Sequence, residues 1–220
     1  MKTYTLTKTF QWQGTVSENV ILFTRMFGLT IDRLRERKKQ HTCRLNIQDG
    51  DIIYITGASG SGKSVLLREL EQKIPTEERI NLADIELPDD KTVVDCIDCG
   101  DFISTLRLLS TAGLSDCFCI LNQPAYLSDG EKYRFRLAMA LAAKKKYIFA
   151  DEFSSELDRI TAASISHKLR KFAKETGTTL ILASSHQDIL IDLLPDMVVY
   201  KDFTDPAHVE YKDMKRKIKN

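Results

Sequence analysis

Residues Gly57-Ala58-Ser59-Gly60-Ser61-Gly62-Lys63-Ser64 spell a complete phosphate-binding loop, with the flanks that such a loop needs. Asp51 to Thr56 is apolar and β-branched, which predicts a buried strand. Val65 to Leu70 predicts the first turns of a helix. Few folds accommodate a strand that enters a glycine-rich turn and leaves as a helix. In that geometry the main-chain N–H groups of the turn and the helix N-terminus converge on one point, which favours an anion. Gly57, Gly60 and Gly62 let the backbone wrap closely, and Ser59, Ser61 and Val65 complete the loop. Lys63 is expected to reach the β- and γ-phosphates, and the Ser64 hydroxyl to ligate Mg²⁺. A nucleoside triphosphate with Mg²⁺ is therefore the expected ligand.

The bulk properties narrow the class by exclusion. A chain of 220 residues buries one good core with room for a small subdomain, not two large domains. Lys plus Arg is 32 against Asp plus Glu 31, so no global field favours nucleic acid or an anionic membrane. No apolar run approaches a membrane span, and Met1 to Leu6 lacks the apolar core of a signal peptide. With five cysteines, an odd number, the expected compartment is reducing and cytoplasmic.

Along the chain, strands are expected around Leu6–Phe10 and Val20–Thr24, and an exposed, arginine-rich helix or loop over Asp32–Lys39. A strand at Cys43–Ile47 then precedes the phosphate-loop unit, whose helix is closed by Pro75. After the polar break at Asp89-Asp90-Lys91, residues 92–145 read as helical. Strands at 146–150, 178–183 and 197–201 then alternate with helices at 158–176 and 187–194. Nearly continuous apolar strands alternating with helices predict an α/β fold whose parallel sheet is covered on both faces. Residues 1–91 and 146–220 are read as a nucleotide-binding core, and 92–145 as an inserted helical subdomain.

A second constellation follows the loop. Asp151-Glu152 are adjacent carboxylates after the apolar run ending at Ala150. There Asp151 can hold Mg²⁺, and Glu152 can aim at a water in line with the γ-phosphate. Leu127-Ser128-Asp129-Gly130-Glu131 precedes them, and Ser154-Ser155-Glu156-Leu157-Asp158 and His186 follow. This ordered set resembles the ATP-binding-cassette (ABC) ATPases over about residues 43–201. The resemblance implies a P-loop NTPase of that family: a RecA-like core, an antiparallel N-terminal β portion and a helical signature subdomain. It implies that Leu127–Glu131 is the signature, with Ser128 and Gly130 contacting the γ-phosphate of ATP bound to the opposite subunit. Asp158 falls in the D-loop, His186 is the switch histidine, and Phe27 is the candidate for stacking on adenine, with Tyr4, Phe10 and Trp12 as competitors. The implied assembly is a head-to-tail homodimer that forms on ATP binding. A narrower resemblance, through residues 127–136, Asp151-Glu152-Phe153 and Leu157-Asp158-Arg159, is to soluble ABC-type ATPases often fused to an acetyltransferase-like domain. The acetyltransferase activity is not carried over.

Two departures bear on function. Asp129 stands where the signature usually has glycine, bringing a carboxylate towards a partner's phosphates. No glutamine lies between Ile80 and Thr92, and Asp84 is the nearest polar candidate for the loop that couples transporters to their membrane subunits. The expected function is Mg²⁺-dependent ATP hydrolysis by a soluble, non-transport ATPase acting on an unknown protein or nucleic-acid partner. The alternatives are the nucleotide-binding subunit of a transporter and a slow nucleotide-gated binding module. Cys96, Cys99, Cys117 and Cys119 can be drawn as a zinc site but are read as reduced thiols. The basic stretch 33–39 is read as a solvated face, and the basic tail 212–219 as a frayed terminus.

Overall fold

The computed structural model describes residues 1–213. Strand β1 (Lys2–Gln11) is followed by helices α1 (Glu18–Met26) and α2 (Ile31–Glu36), then β2 (Lys38–Ile47), β3 (Ile52–Thr56) and α3 (Lys63–Gln72). Next come β4 (Arg79–Asn81), α4 (Phe102–Thr111), α5 (Cys117–Leu121) and α6 (Asp129–Ala142). The chain continues through β5 (Tyr147–Ala150), α7 (Arg159–Thr176), β6 (Thr179–Ala183), α8 (Leu190–Leu193), β7 (Met197–Tyr200) and β8 (His208–Tyr211).

The strands form two sheets. β1 and β2 make an antiparallel pair, Lys2 opposite Ile47 and Gln11 opposite Lys38. The main sheet has the order β4-β5-β6-β3-β7-β8, parallel throughout except for the last pair. Its central strands β5, β6 and β3 are buried along their whole length, as a sheet covered on both faces demands. Alternate residues of β3 divide the core. Ile53 and Ile55 pack with Leu66, Leu67 and Leu70 of α3 and with Leu6 and Leu45 of the small sheet. Ile52 and Tyr54 face the other way, against Leu137 and Leu141 of α6 and Ile165 and Leu169 of α7. That second core runs without a break into the helical segment, through Leu109 and Val93.

The N-terminal expectation needs one correction. Val20–Thr24 lies within α1 and is not a strand. Ser17 caps the helix by accepting from the Val20 N–H, and Thr24 is its one buried residue, bonding back to the Val20 carbonyl at 2.8 Å. Apolar β-branched residues suit a strand only when a partner strand is present, and the cap prevents that. The basic stretch divides between α2 and the start of β2, which begins at Lys38, five residues before the expected Cys43. Two strands have no counterpart in the sequence reading, β4 and β8. Of the basic tail, Lys215, Arg216, Lys217 and Lys219 lie outside the described residues.

Candidate active site

In a parallel sheet all strands end at the same edge, and there α/β folds gather their ligands. β5, β6 and β3 lie side by side, so Asp151, Ser184 and the phosphate loop meet at one place. A cleft of about 460 Å³ opens between them, with Lys63, Ser64, Asp151 and Glu152 in its wall. Ser155, Ser184 and Ser185 complete it. Ser155 belongs to the 154–158 segment already singled out, whereas Ser184 and Ser185 were not found in the sequence. The available signal was a polar pair directly after the apolar strand β6.

The loop itself is built for an anion. Helix α3 starts from Gly62 at φ +108° with no side-chain cap and no acidic residue in its first turn. Lys63 occupies that turn, where the helix dipole disfavours a cation unless a negative group sits beside it. Its ammonium donates to the carbonyls of Gly57 (2.9 Å) and Ala58 (3.0 Å) at the base of the loop. Ser61 is fully buried, with an unpartnered hydroxyl. A side chain at Gly62 would meet the ring of His41, 2.3 Å from its nearest atom, and one at Gly57 would run into the Lys201 carbonyl at 2.0 Å. His41 is itself buried, and burial together with the nearby Lys201 holds its imidazole below the ordinary range, in the neutral form. The loop is thus wedged from behind while Gly60 faces open space. A polyphosphate fits this cradle.

The acidic pair is presented by a strained turn. Phe153 is wholly buried and its N–H bonds to the Ala183 carbonyl at 2.8 Å, which pins the chain against the end of β6. Glu152 (φ +51°) and Ser154 (φ +68°) take left-handed backbone on either side of it. Such a conformation costs a non-glycine residue on the order of 1 kcal/mol. It leaves the Glu152 side chain exposed over the cleft while the Glu152 N–H bonds to Asp151 Oδ1 at 3.1 Å. Ser64 and Asp151, two hard oxygen donors lining one cleft, suit Mg²⁺.

Other predicted residues lie elsewhere. His186 lines an adjoining recess with Ser154 and Asp188, which joins the cleft at Ser155. Ser128 caps α6 in a reciprocal box with Glu131: its N–H and hydroxyl both donate to the Glu131 carboxylate at 2.8 Å. Those bonds hold the Glu131 carboxyl below its usual range. Asp129 and Gly130 open the same helix, with Asp129 exposed and Gly130 close against the Glu156 carbonyl. No residue of 127–131 lines the cleft of its own chain. The Asp158 carboxylate is taken up in capping α7 through the Ile160 and Thr161 N–H groups. Phe27 lines neither the cleft nor the cavity beside the loop; its ring packs tilted against Phe23, centroids 4.5 Å apart, in the helical insert between β1 and β2. Phe10 and Trp12 do line that second cavity, whose Lys39 reaches the Gly60 carbonyl at 3.4 Å. Asp84 is exposed and ends a 3₁₀ turn after β4. Among the described residues the cysteines do not assemble a metal-holding group; the Cys96 thiol bonds to the Thr92 carbonyl and Cys99 lines a separate apolar cavity.

Comparison with known proteins agrees with this geometry. Residues 41–98 match the family model described as ABC transporter. The chain is 33% identical to the methionine import ATP-binding protein MetN 2 of Pseudomonas aeruginosa, over 71% of this chain and 57% of that protein. It thus spans little more than half the length of that relative. It is 26% identical to the aliphatic sulfonates import ATP-binding protein SsuB 1 of Paracoccus denitrificans, covering 83% of this chain and 87% of that one. Among solved structures, the ATP-binding cassette MJ0796, a dimer in a post-hydrolysis state bound to ADP and Pi, superposes with a TM-score of 0.66. That match has 19% identity and covers 94% of this chain and 97% of the other. Fold, motif order and relatives agree: the chain contains an ATP-binding domain of the ABC family.

Proposed function

We propose that this chain is the ATP-hydrolysing subunit of an import-type ABC system at the cytoplasmic face of a membrane, working as a head-to-tail dimer with ATP sandwiched at each interface. The observation that carries the dimer is the composition of the cleft. It holds the phosphate loop, Asp151 and Glu152, yet no residue of 127–131. Ser128 and Gly130 therefore complete a site only if a second copy supplies them. In that site Lys63 and the loop N–H groups bind the phosphates, and Ser64 and Asp151 hold Mg²⁺, which neutralises charge on the β- and γ-oxygens. Glu152 accepts the proton of the attacking water, and His186 lies against the γ-phosphate. Asp158 belongs to the facing D-loop and supports the interface through α7.

Transport is supported by the relatives, since both named ones are import ATP-binding proteins. No helix among the described residues is long and apolar enough to cross a membrane. The missing glutamine between Ile80 and Thr92 favours a second reading, a non-transport ATPase signalling to a protein or nucleic-acid partner. Asp129 would slow closure and fits a nucleotide-gated module. Affinity capture from detergent-solubilised membranes separates the readings: an integral membrane partner held in a nucleotide-dependent way is expected, and its absence would favour the second. Light scattering tests the dimer. The mass of Glu152→Gln is expected to double in Mg·ATP, and a persistent monomer would overturn the sandwich.

Adenine stacking is better assigned to Phe10 than to Phe27. Phe10 lies edge-on to His41, with ring centroids 5.8 Å apart, and His41 backs the loop at Gly62. Phe10→Ala is expected to raise KM for ATP about tenfold by removing one stacking face, with Phe27→Ala near wild type. Steady-state kinetics on the two variants decides it.

A further inference from the structure

Tyr54 is out of character for its surroundings. It sits at the centre of β3, between Leu182 of β6 and Val198 of β7, and is fully buried. A buried phenol is tolerated where its hydroxyl finds a partner. Here that hydroxyl, 132 residues distant in sequence, donates to the backbone carbonyl of His186 at 2.5 Å. Burial pushes the phenol up to about 12, so it remains a donor at any working pH. The His186 N–H is tied in turn to Ser184 Oγ at 3.2 Å, and the Ser184 N–H to the Ile55 carbonyl at 3.0 Å. His186 is otherwise exposed, at the start of the connection from β6 to α8. Three residues beyond Tyr54, at Gly57, the same strand becomes the phosphate loop.

We infer that Tyr54 is a positioning residue: its hydroxyl anchors the His186 backbone to the strand that carries the phosphate loop, so that the imidazole follows the loop and its nucleotide. This rests on the proposed role of His186. A tyrosine serving only to fill the core would contribute through its ring, which phenylalanine keeps. A tyrosine serving as a tether contributes through one oxygen.

Tyr54→Phe removes that oxygen alone. Its unfolding midpoint is expected to stay close to wild type. kcat should fall about fivefold with KM for ATP unchanged, since the loop itself is intact. In a His186→Ala background the same substitution should change kcat by less than about twofold, because the two residues act as one unit. Equal losses in both backgrounds, or no loss in either, would overturn the tether. A second readout does not require turnover. In protein carrying ¹³C-labelled histidine, Tyr54→Phe is expected to move the His186 imidazole resonances and leave those of His167 and His208 in place. An unmoved His186 signal refutes the inference. Failure of the wild-type chain to hydrolyse ATP would instead sink the ATPase reading and leave the spectroscopic test standing.

Discussion

Glu152→Gln is expected to lower the rate of ATP hydrolysis about a thousandfold, within the usual contribution of a positioned general base, while ATP affinity changes little. The asymmetry follows from where the carboxylate sits. In the proposed site nucleotide is held by Lys63 and the loop at the end of β3, whereas Glu152 follows the end of a different strand, β5. Glutamine has nearly the same volume and can take the same left-handed backbone, so the turn pinned by Phe153 should survive. What is lost is a group able to accept a proton. At about 1.4 kcal/mol per decade, a thousandfold loss is about 4 kcal/mol of transition-state stabilisation. A phosphate-release assay beside a direct nucleotide-binding measurement checks both halves. Turnover within tenfold of wild type would remove Glu152 from the catalytic role and leave Asp151 as the only acid acting in the cleft.

The second large effect is on the fold itself. Gly57→Ala is expected to destabilise the protein by on the order of 3 kcal/mol, lowering the melting temperature by about 10 °C. Two causes add. Gly57 has φ +141°, a conformation that a side chain strains. Its missing Cβ would also stand 2.0 Å from the Lys201 carbonyl, which belongs to backbone tied to β3 by the Lys201 N–H bond to Thr56 at 2.7 Å. The neighbour has no way to yield, because β3 and β7 are paired along their length just below. Gly60→Ala is the control: its φ is +73° but no atom lies within 4 Å of the added carbon, so only the smaller conformational cost is expected. Thermal melts of the two variants separate collision from strain, and equal midpoints would show that the contact with Lys201 carries no weight.

Much of the site was legible because its signals are local. A glycine-rich turn between an apolar strand and a helix defines its own geometry within about twenty residues, and an acidic pair after a buried run announces a strand end. β3, β5, β6 and β7 were readable for the same reason, each being a short, almost wholly apolar segment. Val20–Thr24 was misread because β-branched composition carries no information about what lies alongside; the Ser17 cap was the better signal. β4 and β8 were invisible because they are edge strands of three and four residues without a fully buried position, and they exist only through pairing with β5 and β7.

The sequence by itself determined the loop, the order of the motifs and hence the family, since each depends on residues adjacent in the chain. Only the tertiary structure decided which strand ends share a cleft. It alone brought the serines after β6 to the phosphate loop, left 127–131 outside the cleft, seated Phe10 rather than Phe27 beside the loop and set Tyr54 under His186. These relations arise from parallel pairing and side-chain packing between segments far apart in sequence. Their energies appear only once the sheet has closed, so no local pattern of residues can carry them.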